Sequence, residues 1–179
     1  MTTARDLALL VLDGTVDRHT DPADLSLALA GAEAIDLLEL GGLTLDGDSV
    51  VPAAPTATGD QLLDAASALL ARQYPYETVG DWLWRRGPGL ARAYSDELRR
   101  EGLVTRPQWH RESVDAILEA LLAAARIESG DGAAEVDESL LGDAVTTVLA
   151  AVGESVTQLE AVRLRRGIEN AAFDNVWRA

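Results

Sequence analysis

Cysteine and lysine are both missing from this chain of 179 residues. The first absence removes disulfides and thiolate metal sites. The second leaves arginine as the only strong base, at 15 positions. Together with abundant Ala and Gly, that bias suggests a high-GC genome and a bacterial source. Aromatic residues are also scarce, at 4% of a chain that is 47% hydrophobic. The core must therefore be built from Ala, Leu and Val, a composition that favours helices over a β-sandwich. Long apolar runs are absent too. The longest N-terminal one, Leu7 to Leu12, is bracketed by Asp6 and Asp13. It is too short to span a bilayer and has neither the basic flank nor the cleavage site of a signal peptide. The expectation is one domain over residues 1–179, in the cytoplasm or attached to a membrane from the cytosolic side.

What is present is acidic, and unevenly so. The net charge is −15, yet residues 82–111 hold seven arginines (Arg85, Arg86, Arg92, Arg99, Arg100, Arg106, Arg111) against Asp96, Glu97 and Glu101. A basic island on an acidic body suits docking on an anionic surface. A solvated helix with i,i+4 pairs such as Asp96–Arg100 accounts for the same pattern.

Local signals predict a mainly α fold. Asp21-Pro22-Ala23-Asp24 reads as an N-cap, a first-position proline and a first-turn acid. The helix it starts runs to about Leu40, with Leu25, Ala28, Leu29, Ala32 and Ile35 as its inner stripe and apolar residues spilling round it, so it should be largely buried. Gly31 in its middle predicts a close helix crossing. Leu43 to Val51 reads as a short β-hairpin around Asp46-Gly47. Thr58 with Gln61 reads as a capping box that opens a helix from Gly59 to about Arg72. Helices over about 77–86 and 90–101 follow, joined by Gly87-Pro88-Gly89 and ended by Gly102. Stripes at Val114–Ala125 and Leu140–Val152 predict two more, with an exposed loop at Ser129–Gly132 between them, and a last helix starts near Glu154.

Catalytic and metal signatures are not found. His19 and His110 lie in polar stretches, with no second ligand at helical spacing. Asp13, Asp46, Asp48 and Asp131 do not continue into a calcium loop. There is no G-x-S-x-G, P-loop or G-x-G-x-x-G after a strand. Gly87-Pro88-Gly89 reads as a helix–helix corner rather than a phosphate cradle. Asp96 to Thr105 has the outline of a winged-helix recognition helix, but the net charge opposes binding to nucleic acid.

Three motifs in order carry a resemblance: Thr58-Gly59-Asp60-Gln61-Leu62-Leu63-Asp64, then Glu77-Thr78-Val79 with Trp82, then the charged helix ending in Gly102-Leu103-Val104-Thr105. The chain resembles the Golgi phosphoprotein 3 family, most strongly over residues 5–105. That resemblance implies a non-enzymatic peripheral membrane protein that binds phosphatidylinositol 4-phosphate. In a gapless register the family's headgroup tryptophan falls on Asp21, and its arginines fall on Ala30, Pro88 and Ala91. Arg106 to Arg111 occupies the place of the family's membrane-inserting hairpin, with Trp109 as its apolar tip.

The expected function is thus binding of an anionic phospholipid surface, weakly and reversibly. Arg85, Arg86, Arg92 and Arg99 are the candidate headgroup contacts, and Trp109 is the candidate membrane contact. The alternative is a protein-interaction adaptor whose partner is another protein or a second copy of the chain. No cofactor, metal or nucleic acid is expected.

Overall fold

The computed structural model describes residues 2–13, 20–54, 57–103, 116–127 and 141–177, with side chains known to residue 170. Everything in it is arranged around one helix. In order these residues form α1 (Thr3–Asp13), α2 (Pro22–Glu39), a hairpin of β1 (Leu43–Asp46) and β2 (Ser49–Pro52), α3 (Gln61–Leu69), α4 (Val79–Arg86), α5 (Leu90–Arg100), α6 (Ala116–Ala124) and α7 (Asp143–Trp177). The fold is mainly α and forms a single domain, as the composition implies.

Helix α2 is the hub because it has no polar face. Residues 25 to 37 are all buried, and the other six helices all pack on it. Ala28, Ala30, Ala32 and Ala34 keep its girth small, so neighbours approach from every side. Asp21 caps its start by accepting from Ala23 N at 2.8 Å, followed by the proline read from the sequence. Gly31 marks the crossing with α7: a Cβ there would sit 2.5 Å from Val152 Cγ2. The glycine is the space into which Val152 packs.

The polar groups of α2 are used to hold other elements. Both oxygens of Asp36 cap α1, accepting from Thr3 N at 2.7 Å and Ala4 N at 3.0 Å. The short segment Leu7 to Leu12 is thereby part of a helix, with Leu7 fully buried. Ser26 Oγ donates to Pro22 O and accepts from Ala91 N at 3.1 Å, which fixes the start of α5.

The hairpin has the predicted place, with Leu45 opposite Val50 and a two-residue loop of Gly47 and Asp48. Gly47 has φ +61°, the glycine geometry that such loops favour. The strand edge is extended by the chain before α4: Val50 N donates to Glu77 O and Val79 N to Asp48 O, each at 2.8 Å.

Two expectations are corrected. Helix α3 is shorter than 59–72, and its cap is Asp60 rather than Thr58. Asp60 Oδ1 accepts from Leu62 N and Leu63 N, while Thr58 donates to Asp64 through both its N and its Oγ1. A carboxylate next to the first turn wins the exposed amides, which displaces the box by two residues. The helices expected on either side of Glu154 are one continuous helix, α7. Gly153 does not break it because the glycine faces Ala124 O at a close approach of α6, with 3.6 Å to a built Cβ. The stripes otherwise behave as expected: Leu118, Leu121, Val148 and Val152 are buried between α2, α6 and α7, and Val145 and Leu149 are half-buried. Val114, the Ser129–Gly132 loop and Leu140 lie outside the described residues.

The Gly31 crossing generates a direct prediction. A methyl group at this position collides with a stiff β-branched side chain, and overpacking of this kind costs about 1–3 kcal/mol. Better helix propensity returns up to about 1 kcal/mol. Gly31→Ala should therefore lower the denaturant midpoint in the wild-type background and be neutral or stabilising in a Val152→Ala background. Equal losses in both backgrounds would show that the contact does not set the helix separation.

Candidate functional site

The arginine island of the sequence resolves into two groups, and the helix that carries each arginine decides its role. Helix α4 starts at a reciprocal capping box between Thr78 and Asp81. Its inner face buries Trp82 completely, with Nε1 donating to Ala30 O at 3.2 Å. The last turn carries Arg85 and Arg86 in opposite situations from the same stretch of sequence. Arg86 points into the body, with a side chain only 12% exposed. It grips Glu33 with two parallel bonds, Nε to Oε2 and Nη2 to Oε1, both 2.7 Å, and also reaches Leu62 O at 3.1 Å. Arg85 folds back over the Trp82 ring, 5.1 Å from its centroid, and bonds Glu77 Oε2 at 2.9 Å and Leu69 O at 3.1 Å.

Arg85, Arg86 and Arg92, all candidate headgroup contacts, therefore do not share one solvent-facing surface, which corrects that assignment for Arg86. A buried carboxylate in the middle of α2 needs a counter-charge, and Arg86 is the arginine within reach. Glu33 is fully buried and also accepts from Tyr94 Oη at 3.1 Å. Burial pushes its carboxyl above the ordinary range, and the Arg86 guanidinium and the Tyr94 hydroxyl pull it back. The same burial, reinforced by the Glu33 charge, pushes the Tyr94 hydroxyl up, so it stays a proton donor.

Beyond Gly87-Pro88-Gly89 the surface changes. The corner is tight: a Cβ on Gly87 would meet Leu83 O at 2.8 Å and Ser26 O at 3.5 Å. Gly89, with φ +80°, turns the chain into α5. The inner face of α5 buries Leu90, Tyr94 and Leu98. Its outer face carries Arg92, Arg99 and Arg100, with side chains 88%, 61% and 65% exposed. Their partners lie on the same helix: Asp96 is 3.6 Å from Arg92 and 3.9 Å from Arg99, and Glu97 pairs with Arg100. Arg100 was not among the candidates. It lies in the last turn beside Arg99 and is as exposed as that residue.

An apolar groove of about 370 Å³ lies beside α5, lined by Pro22, Leu27, Trp84, Pro88, Ala91 and Leu159, with Arg92 on its wall. Trp84 is 39% exposed here. Pro88 and Ala91, two of the positions singled out by the gapless register, line this groove. Asp21 lies next to Pro22 and pairs with Arg163 at 2.9 Å, while Ala30 is sealed inside α2. Trp109, His19 and His110 lie outside the described residues. Among the described residues no group of three or more His, Asp or Glu side chains is placed to hold a metal ion, and no helix is long and apolar enough to cross a membrane.

A buried helix enclosed by amphipathic ones, with a basic outer helix beside an apolar groove, defines a class of α-helical domain with one specialised face. The family model for Golgi phosphoprotein 3 (GPP34) matches residues 4–169, and the chain belongs to that family. No curated protein and no solved structure matches it.

The Glu33–Arg86 pair generates the second prediction. Removing one partner of a buried ion pair costs about 3–5 kcal/mol, because the other charge is left uncompensated. Arg86→Met should lose this much at neutral pH, and adding Glu33→Gln should recover a large part of it. The loss should also shrink in acid. Without Arg86 the Glu33 carboxyl is held further above its unfolded value, so the folded state takes up the extra proton and gains stability as pH falls. Chemical denaturation of the single and double variants at about pH 5 and pH 7.5 checks both signs. A loss independent of pH would mean that Glu33 is not the group left stranded.

Proposed function

We propose that the protein is a non-enzymatic peripheral membrane protein that docks on an anionic phospholipid surface from the cytosolic side through the outer face of α5. The observation that carries this reading is the set of three exposed arginines on one helix, Arg92, Arg99 and Arg100, beside an apolar groove. Exposed pairs such as Arg92–Asp96 are worth about 0–1 kcal/mol, so an anionic headgroup competes with them at little cost. Arg85 and Arg86 are committed to Glu77 and Glu33 and drop out of the contact set. The groove supports the same face, since it lies at positions that correspond to the family's headgroup site, although the arginines themselves are replaced there. Phosphatidylinositol 4-phosphate is the headgroup that family membership suggests, and any preference for it would rest on Arg92.

The strength of docking follows from the charge. Arginines near an anionic surface contribute about 1 kcal/mol each, so three give about 3 kcal/mol. The acidic body is repelled by the same surface. Binding is therefore weak, reversible and salt-sensitive, with little selectivity among anionic lipids.

A second reading, the protein-interaction adaptor, is favoured by a different observation. Leu164 and Ile168, one turn apart on α7, are 70% and 71% exposed. Such a stripe suits a helical protein partner or a second copy of the chain.

Vesicle sedimentation separates the readings. Vesicles rich in phosphatidylglycerol, phosphatidylinositol or phosphatidylinositol 4-phosphate should pull down the protein at low salt and release it at high salt. The Arg92/Arg99/Arg100→Ala variant should lose binding, and Arg85→Ala should keep it. Loss with Arg85→Ala alone would move the face to α4. No binding to any vesicle at low salt would leave the adaptor reading, to be checked by the oligomeric state of a Leu164/Ile168→Ser variant.

A further inference from the structure

On the flank of α4 away from the α5 corner, a second cleft of about 590 Å³ opens between the hairpin loop, the first turn of α4 and the middle of α7. Its volume lies in the range of small-molecule sites. Its chemistry is one-sided. Asp48, Asp81 and Glu154 supply three carboxylates, and no basic side chain lines it. The neutral polar groups are turned the same way. Thr146 and Thr147 spend their hydroxyl protons on Gly142 O and Asp143 O, and Gln158 spends an amide proton on Glu154. What remains toward the cleft is mostly oxygen lone pairs, from the three carboxylates and the hydroxyls, beside the second amide proton of Gln158.

Ser155 is the group that marks this cleft as a site. The residue is 97% buried by its 3% exposure, it lines the cleft, and its hydroxyl makes no hydrogen bond with any described residue. Thr157, two residues further along the same helix, satisfies its own hydroxyl on Gly153 O at 2.8 Å. Ser155 has that option and does not take it. Its oxygen, on the lining of the cleft, therefore has lone pairs to offer to a donor that enters from outside the chain. Trp84 forms one wall and presents an indole to whatever enters.

We propose that this cleft binds a guanidinium group. A guanidinium carries five N–H donors, no acceptor and a positive charge, which matches a lining rich in acceptors with three carboxylates and no base. Its planar, weakly hydrated face stacks on an indole, and Trp is the best aromatic partner for a cation. A compact ammonium matches one carboxylate at a time. The carboxylates do not converge as a metal ion requires, since among the described residues no such group of three is placed to hold one. The guanidinium belongs either to a free small molecule or to an arginine side chain of another protein, and the binding chemistry is shared. The cleft lies on the other side of Trp84 from the groove beside α5, and the proposal does not rest on lipid docking.

The test is an NMR titration of the ¹⁵N-labelled full chain at constant ionic strength, with Nα-acetyl-arginine N-methylamide, agmatine, the corresponding lysine amide and a short arginine-containing peptide. The arginine probes should produce saturable shifts at the Trp84 indole N–H and at the amides of Thr147 and Ser155. The lysine probe should bind more weakly. Ser155→Ala and Glu154→Gln should each weaken the arginine probe by a factor of about 3–5, the scale of one exposed charge contact. Glu169→Gln, at the far end of α7, should not, and melting curves confirm that the variants fold. Agmatine binding as tightly as the amide assigns the site to a free guanidine, whereas tighter binding of the peptide assigns it to a protein's arginine. Shifts that do not saturate by roughly 10 mM, equal weakening by Glu169→Gln, or lysine binding as tight as arginine would each overturn the proposal.

Discussion

A helix that offers no face to water obliges its neighbours to satisfy every polar group it carries. Helix α2 buries residues 25 to 37 without interruption, yet includes Ser26, Glu33 and Asp36. Together the three bond three other helices: Ser26 the start of α5, Glu33 the end of α4 and the middle of α5, and Asp36 the start of α1. A hydrophobic core alone sets compactness and leaves the rotation of each helix free. These directional bonds fix rotation and register as well. The Glu33–Arg86 pair is the deepest of them, and it decides which arginines are left for the surface.

That decision explains why the fold was more legible than the site. Periodicity and caps mark helices directly, so α2, α4, α5 and the hairpin stand within a few residues of where Asp21-Pro22, Gly87-Pro88-Gly89, Gly102 and Gly47 put them. The crossing at Gly31 was legible for the same reason, since a glycine in an otherwise excellent helix former needs a packing cause. The errors came where two local signals compete. Thr58 and Asp60 both cap well, and only the three-dimensional path of the chain chooses between them. Gly153 beside Glu154 looks like a break, yet the glycine serves the approach of α6. The arginines were the least legible. Arg85 and Arg86 are adjacent and identical in type, and their fates depend on Glu33, more than fifty residues earlier, being in the core.

The charge of the molecule is correspondingly sorted rather than simply patchy. Acids dominate the surface, but several are used up in latches between distant segments: Asp60 and Glu101 hold Arg5, Asp21 and Asp24 hold Arg163, and Glu160 holds Arg126. Residues 82–100 therefore present two different surfaces on either side of Trp84. The apolar groove beside the arginines of α5 is on one side, and a carboxylate-lined cleft against α7 is on the other. Opposite electrostatics within one turn of helix give the chain two chemically distinct faces without any addition to its size.

The unbroken α7 has a consequence for how the molecule opens. Its first half packs on α2, α4 and α6, and Val148, Val152 and Val156 are sealed in the core. From Ala161 to Asn170 it is largely exposed, with Arg163 as its tie to α2. Amide protons along this one helix should therefore exchange in two regimes. Those near Val152 wait for global unfolding, along with those of α2, whereas those beyond Arg163 are released by local fraying. Continuity of hydrogen bonding is not continuity of stability, and a single helix here belongs to two cooperative units.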